Sequence, residues 1–267
     1  MTRPSSTAWQ GLCLSLCLGL CAPLAQARAP LVRACANQAE MPPFTFVERG
    51  NGRIDGSANG KLTGVTVDML GKIARQHGWQ LSVQLMPWLR CLAFVAEGKF
   101  QLALDVDRAD AGALALSRSY FTVHSMYFYS SRVHPRGLGL QALDQLARHK
   151  ICGLLGRRFE AYGIDTDKVD LGTTSYEQLI GKLHRGRCDL FIENRETLAG
   201  LYLLNPKLAD MLTDPTLHSE PVPGLAAREL RIAVAPGEGA LLRQLDEGLA
   251  RLLAQGEVDK LLANYLQ

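Results

Sequence analysis

Apolar positions along this chain switch repeatedly between a helical and a two-residue period. From Gly64 to Leu104, Val67, Leu70, Ile73 and Ala74 recur at helical spacing and Leu81, Val83 and Leu85 then alternate. A Pro87-Trp88 corner leads to a second helical face, Leu89, Leu92 and Val95, and to the run Phe100-Gln101-Leu102-Ala103-Leu104. The pattern predicts a helix, a half-buried strand, a second helix and a buried parallel strand. Asp68 falls in the first turn of the first helix, where the helix dipole favours negative charge. Gly78 and Gly98 stop the two helices, and the last strand is expected to stop at Asp105.

A similar ending recurs later. Thr174 to Glu177 reads as a capping box, Leu179, Ile180 and Leu183 form an apolar face, Gly186-Arg187 closes the helix, and Cys188 to Ile192 is a strand ending at Glu193-Asn194. Two lobes of like design follow. In open parallel sheets ligands bind beyond the carboxyl ends of strands, which makes Asp105, Glu193 and Asn194 candidates for a cleft. Simple polar termination of a strand is the alternative for each of them taken alone.

The remaining elements frame these two units. Leu31 to Ala36 is a first strand, followed by the extended segment Met41 to Phe46 and by turns at Asn51-Gly52 and Asn59-Gly60. Tyr120 to Val123 and Met126 to Tyr129 read as an aromatic-rich strand, and Pro135, Gly137 and Gly139 mark a linker. The second lobe opens with a helix through Leu143 and Leu146 and a strand from Ile151 to Leu155. Gly156-Arg157-Arg158 then reads as a helix start, where free backbone N–H groups and two guanidiniums would form an anion site; two solvated arginines are the alternative. A helix from Glu196 to Leu204 and a proline-containing loop precede a strand from Leu230 to Ala235. The apolar face Leu241, Leu245, Leu249 and Leu252 and a short helix through Leu261 and Tyr265 are expected to return to the first lobe. The expected division is residues 1–27 as a signal peptide, 28–129 and 228–267 as the first lobe, and 130–227 as the second.

Arg3, the apolar run from Gly11 to Leu24 and the small-x-small site Ala25-Gln26-Ala27 make up a secretory signal, too short for a stable membrane span. Removing residues 1–27 from the 267 leaves 240, enough for two modest domains, and an exported, periplasmic chain is expected. With 29 Lys and Arg against 26 Asp and Glu, dispersed along the chain, the charge argues against nucleic acid as a partner. Cys35, Cys91, Cys152 and Cys188 remain after cleavage, an even number with three possible connectivities. Cys35 with Cys91 and Cys152 with Cys188 is the expected pairing, each bridge inside one lobe so that the lobes stay free to move. The spacings are poor for zinc, and no metal or other cofactor is expected.

The order of Pro42-Pro43-Phe44, Gly64-Val65-Thr66-Val67-Asp68, Pro87-Trp88, Gly98-Lys99-Phe100, Leu116-Ser117 with Tyr120, Gly153 to Gly156, Gly186-Arg187-Cys188-Asp189, Ile232-Ala233-Val234 and Gln255-Gly256 is informative. Through these the chain resembles the bacterial extracellular solute-binding proteins of family 3, which serve amino-acid-type ABC importers. The resemblance implies an α/β, two-lobed periplasmic-binding-protein-like fold of type II with two crossing hinge strands, closing on a small ligand. It also implies a permease and an ATPase as partners, and a monomer is expected. By resemblance Trp88 matches a ligand-stacking aromatic, and Gln38 and Met41 match cleft positions after the first strand. Arg108 is the nearest candidate for the family's carboxylate-binding arginine, a little upstream of its place, and Arg118 is expected to face solvent. Asn194 stands where the family has the acid that pairs with the ligand's ammonium, and losing such a charge typically costs a few kcal/mol. The expected ligand is therefore a small polar or carboxylated, amino-acid-like solute whose anionic end meets Arg108 or the Gly156 helix start.

Two other readings stay open. Similar two-lobed folds include cyclohexadienyl dehydratases, for which Glu193 or Asp105 would be the cleft acid if burial raised its pKa. No Gly-x-Ser-x-Gly or His-Glu-x-x-His motif occurs, the six histidines are scattered, and no catalytic residue is assigned. The other reading keeps the binding module and gives it to a membrane sensor.

Overall fold

A computed structural model describes residues 1–2, 29–48 and 60–265. The segment expected to be a signal peptide, beyond residues 1–2, and the expected turns at Asn51-Gly52 and Asn59 lie outside the described residues. The chain runs β1 (Leu31–Asn37), β2 (Phe46–Glu48), β3 (Lys61–Thr63), α1 (Val65–His77), β4 (Gln80–Met86), α2 (Trp88–Ala96), β5 (Leu102–Val106), β6 (Ala115–Leu116) and β7 (Phe121–Val123). It continues through β8 (Ser125–Ser130), β9 (Ile151–Leu154), β10 (Asp170–Thr173), α3 (Tyr176–His184), β11 (Leu190–Asn194), α4 (Arg195–Leu204), α5 (Pro206–Leu212) and β12 (Leu217–Pro221). The last elements are β13 (Arg228–Val234), α6 (Gly239–Ala254) and α7 (Glu257–Tyr265).

Two sheets result. The first has strand order β4-β1-β5-β13-β6, with β7 also on β13, and the second has β10-β9-β11-β8-β12. In the first sheet β1 pairs parallel with β4 and β5, while β13 returns antiparallel to β5. Both faces of each sheet are covered, as parallel strands require. Val65, Met69 and Ile73 of α1 pack with Leu241, Leu245 and Leu249 of α6 on one face of the first sheet. Cys91 and Val95 of α2 pack with Cys35, Phe100 and Ala103 on the other. In the second sheet Leu190 and Ile192 belong to one core and Phe191 to the other, with α3 residues Leu179 and Ile180 beside it.

Local chemistry explains the element ends. Helix α1 stops at Gly78 in the left-handed conformation. At its start a Cβ on Gly64 would lie 2.1 Å from the Phe44 carbonyl oxygen, so no other residue fits without moving the backbone. The capping residue of α3 is Ser175, which accepts from Gln178 N at 3.3 Å, one place after the expected Thr174 box. The segment through Leu143 and Leu146 is a 3-10 helix, Leu143–Arg148. Sulfurs of Cys35 and Cys91 are 2.04 Å apart and those of Cys152 and Cys188 are 2.23 Å apart, the expected pairing.

Two expectations need correction. Tyr120 to Tyr129 is not one strand: β7 pairs with β13 in the first sheet, whereas β8 pairs with β11 and β12 in the second. The chain thus crosses between lobes at His124, five residues before the expected boundary at 129. His124 is fixed there, because its N donates to Glu196 Oε2 at 2.9 Å and its O accepts from Arg195 N at 2.9 Å. The chain crosses back between β12 and β13. Strand β5 also continues through Asp105 to Val106, because the pairing with β13 shifts register there and absorbs an extra residue.

Candidate functional site

A cavity of about 150 Å³ lies between the lobes. The first lobe contributes Asn37, Glu40, Met41, Thr45, Trp88, Asp105, Asp107 and Asp110, the second Gly156 to Tyr162 and Ile192 to Asn194, and the returning strand Arg228 and Leu230. Of the sequence candidates, Met41, Trp88, Asp105, Gly156, Arg157, Glu193 and Asn194 surround this cavity. Gln38 is exposed and lines an adjoining groove instead, with its N bonded to the Met86 carbonyl at 2.9 Å. Arg108 is exposed and lies outside the cavity, in the turn that follows β5, so it is not placed to take a ligand carboxylate. Arg118 is exposed, as expected.

Asp105 is held tightly. Its Oδ1 accepts from Thr66 Oγ1 and from Tyr120 OH, both at 2.6 Å. Its backbone has φ +56°, a left-handed conformation uncommon for a residue within a strand. Burial pushes the carboxyl up, opposed in part by the Thr45, Thr66 and Tyr120 hydroxyls. The Tyr120 phenol is pushed up in turn, by burial and then by Asp105. Close by, Trp88 Nε1 donates to Asp110 Oδ2 at 3.0 Å.

The second lobe presents a buried charge pair. Glu193, 5% exposed, accepts from Arg157 Nη2 at 2.5 Å and from Tyr176 OH at 2.6 Å through the same oxygen, while Oε1 accepts from Asn194 N at 2.8 Å. Burial opposes the charge of Arg157, but Glu193 more than offsets it and fixes the guanidinium in its protonated form. Tyr176 is pushed up by burial and by Glu193. No α-helix starts at Gly156. The Arg157 N–H is used by the Leu154 carbonyl at 3.1 Å and the Phe159 N–H by Thr166 Oγ1 at 2.9 Å, and a 3-10 turn, Glu160–Tyr162, ends at Gly163. Two of the N–H groups expected there are therefore already used, and Arg157 faces Glu193 rather than a helix-bound anion.

Arg228 is a cavity-lining residue that sequence reasoning missed. Its Nη1 donates to Asp107 Oδ2 at 3.0 Å in the first lobe and its Nη2 to Asn194 Oδ1 at 2.7 Å in the second. The guanidinium carbon lies 5.8 Å from the Tyr162 ring centroid. Its sequence signal is modest: a single Arg at the foot of the returning strand. A further meeting of the lobes escaped notice at Gly200 of α4, where a Cβ would lie 2.7 Å from the Pro42 carbonyl carbon. Among the described residues no group of three or more His, Cys, Asp or Glu side chains is placed to hold a metal, and no helix is long and apolar enough to cross a membrane.

The family model for bacterial extracellular solute-binding proteins, family 3, matches residues 34–267. The chain belongs to that family. A probable histidine-binding protein of Neisseria gonorrhoeae is 21% identical over 273 residues, covering 98% of this chain and 93% of that protein. A Streptococcus pneumoniae amino acid ABC transporter substrate-binding protein, solved bound to L-arginine, superposes with a TM-score of 0.65 at 19% identity over 88% of this chain and 94% of that one. A histidine kinase sensor domain with similarity to periplasmic binding proteins gives 0.66 at 20% identity over 90% and 97%. The two-lobed architecture is thus shared with transport components and with a sensor. Within this family-3 chain, the cavity sits where the carboxyl ends of β1, β5 and β11 converge, as the parallel-sheet rule requires.

Proposed function

We propose that this family-3 protein is exported to the periplasm, loses residues 1–27, captures a small polar or carboxylated, amino-acid-like solute by closing its lobes, and delivers it as a monomer to a membrane permease and its ATPase. The observation that carries the reading is a cavity walled by both lobes and by the returning strand, with ionisable groups of both signs. Arg228, already touching both lobes, is suited to sense their approach. The anionic end of the solute is assigned to Arg228 and Arg157, since Arg108 lies outside the cavity.

Native mass spectrometry of protein purified without refolding tests capture, with one bound small molecule as the expected result. A deletion strain should lose uptake of that same solute; unchanged uptake would favour a sensing role. Prephenate and arogenate incubated with the protein are expected to remain unconverted, and appearance of product would replace binding by catalysis.

A further inference from the structure

We propose that the first lobe, through Asp105, receives a cationic group of the solute, so that the cargo is a cation or a zwitterion lying with its positive end in the first lobe. The inference rests on the solute-binding reading and adds the chemical class and its orientation.

Three observations converge on Asp105. First, the register shift of β5 against β13 and the positive φ of Asp105 turn this residue out of the regular strand, a costly backbone state that bulges beside binding sites commonly carry. Second, its two oxygens are used unequally. Thr66 and Tyr120 fix Oδ1, whereas Oδ2 is buried with only the Thr45 hydroxyl beside it, and neither Oδ2 nor Thr45 Oγ1 makes a well-formed hydrogen bond among the described residues. Both residues line the cavity. A buried acceptor left unpaired is costly, and a group rich in N–H donors would satisfy both oxygens at once.

Third, the charges do not balance. Asp105, Asp107, Asp110, Glu160 and Glu193 line the cavity against Arg157, Arg158 and Arg228. Each arginine already has a carboxylate: Glu193, Glu160 and Asp107 respectively. Asp105 and Asp110 have no cationic partner among the described residues, and both are on the first-lobe wall. Trp88 lies on the same wall, tethered to Asp110, and an indole beside a desolvated cation adds further attraction. Burial already holds the Asp105 carboxyl above its usual range, so an arriving ammonium or guanidinium has a charge to restore.

The test is a thermal-shift and calorimetric screen of the purified, dialysed protein. The probes are the twenty L-amino acids, agmatine and putrescine as cations without a carboxylate, and glutarate and 2-oxoglutarate as carboxylates without a cation. Probes bearing a cationic group alone should raise the melting temperature. For the tightest of them, Asp105→Asn should weaken binding roughly 30-fold or more, while Asp170→Asn, which alters a Lys182 pair outside the cavity, should leave it unchanged. Glutarate binding as tightly as the best cationic probe overturns the assignment but leaves solute capture standing. The assignment falls equally, with capture intact, if Asp105→Asn melts cooperatively and binds with unaltered affinity. If that variant does not fold, the wild-type comparison of agmatine and putrescine with glutarate decides alone. Failure of every probe to bind overturns both the assignment and the capture reading.

Discussion

At Asp105 one carboxylate carries a backbone conformation, two short hydrogen bonds and a raised pKa. A raised folded-state pKa means that the neutral form is the one the fold prefers. Its contribution to stability is present below the ordinary carboxylate range and is lost as pH rises through the folded-state value. Asp105→Asn should therefore raise the melting temperature of the ligand-free protein at pH 7, and the gain should vanish in acid below the ordinary Asp range. A melting curve series from pH 3 to pH 8 checks both halves, and a variant less stable than wild type at pH 7 would contradict the sign. The sequence pointed to Asp105 as a strand end and so as a cleft candidate, but not to its bulge, because a bulge depends on a register set by β13, far along the chain. Arg228 escaped for the same reason: Asp107 is 121 residues away from it. Glu193 and Asn194 were legible since they directly end a buried strand.

At the level of elements, α1 and β4 follow the expected apolar periodicity, because each buries one face and local pattern decides it, whereas α2 buries Cys91 and Val95 and leaves the expected face residue Leu89 exposed. Gly156-Arg157-Arg158 failed as a helix start since Gly163 lies too few residues on and Thr166 claims the Phe159 N–H. Each lobe carries its own covalent tie. The Cys152–Cys188 bridge joins β9 to the segment entering β11 across 36 residues. Replacing both cysteines by Ala should cost about 2–4 kcal/mol, read by urea denaturation, with the preference among solutes unchanged. A shift in solute preference would mean that the bridge shapes the cleft. In the second lobe, Tyr176→Phe removes one donor to buried Glu193 and should cost about 1 kcal/mol, measured in the same way, since Arg157 and the Asn194 N–H remain.

For the whole molecule, the approach of the lobes is limited at Gly200, where α4 meets the Pro42-Pro43 backbone. An added methyl group there has no flexible side chain to displace, so Gly200→Ala should hold the lobes apart. The expected result is a larger radius of gyration by solution scattering in the presence of solute and an affinity lower by about tenfold or more, with each lobe still folded. An unchanged radius and affinity would show that the lobes close by another path. Arg228 bears on a different quantity. Its two bonds join Asp107 to Asn194 using protein groups alone, so the joined form needs no cargo to exist. A population held in that form cannot admit solute and lowers the apparent affinity by the fraction it occupies. The observed rate of binding should accordingly level off at high solute concentration, at the rate of lobe opening. Arg228→Lys, which cannot hold both partners in the same planar geometry, should raise that plateau in stopped-flow measurements. The arginine that completes the cleft thus also sets how quickly it can be loaded.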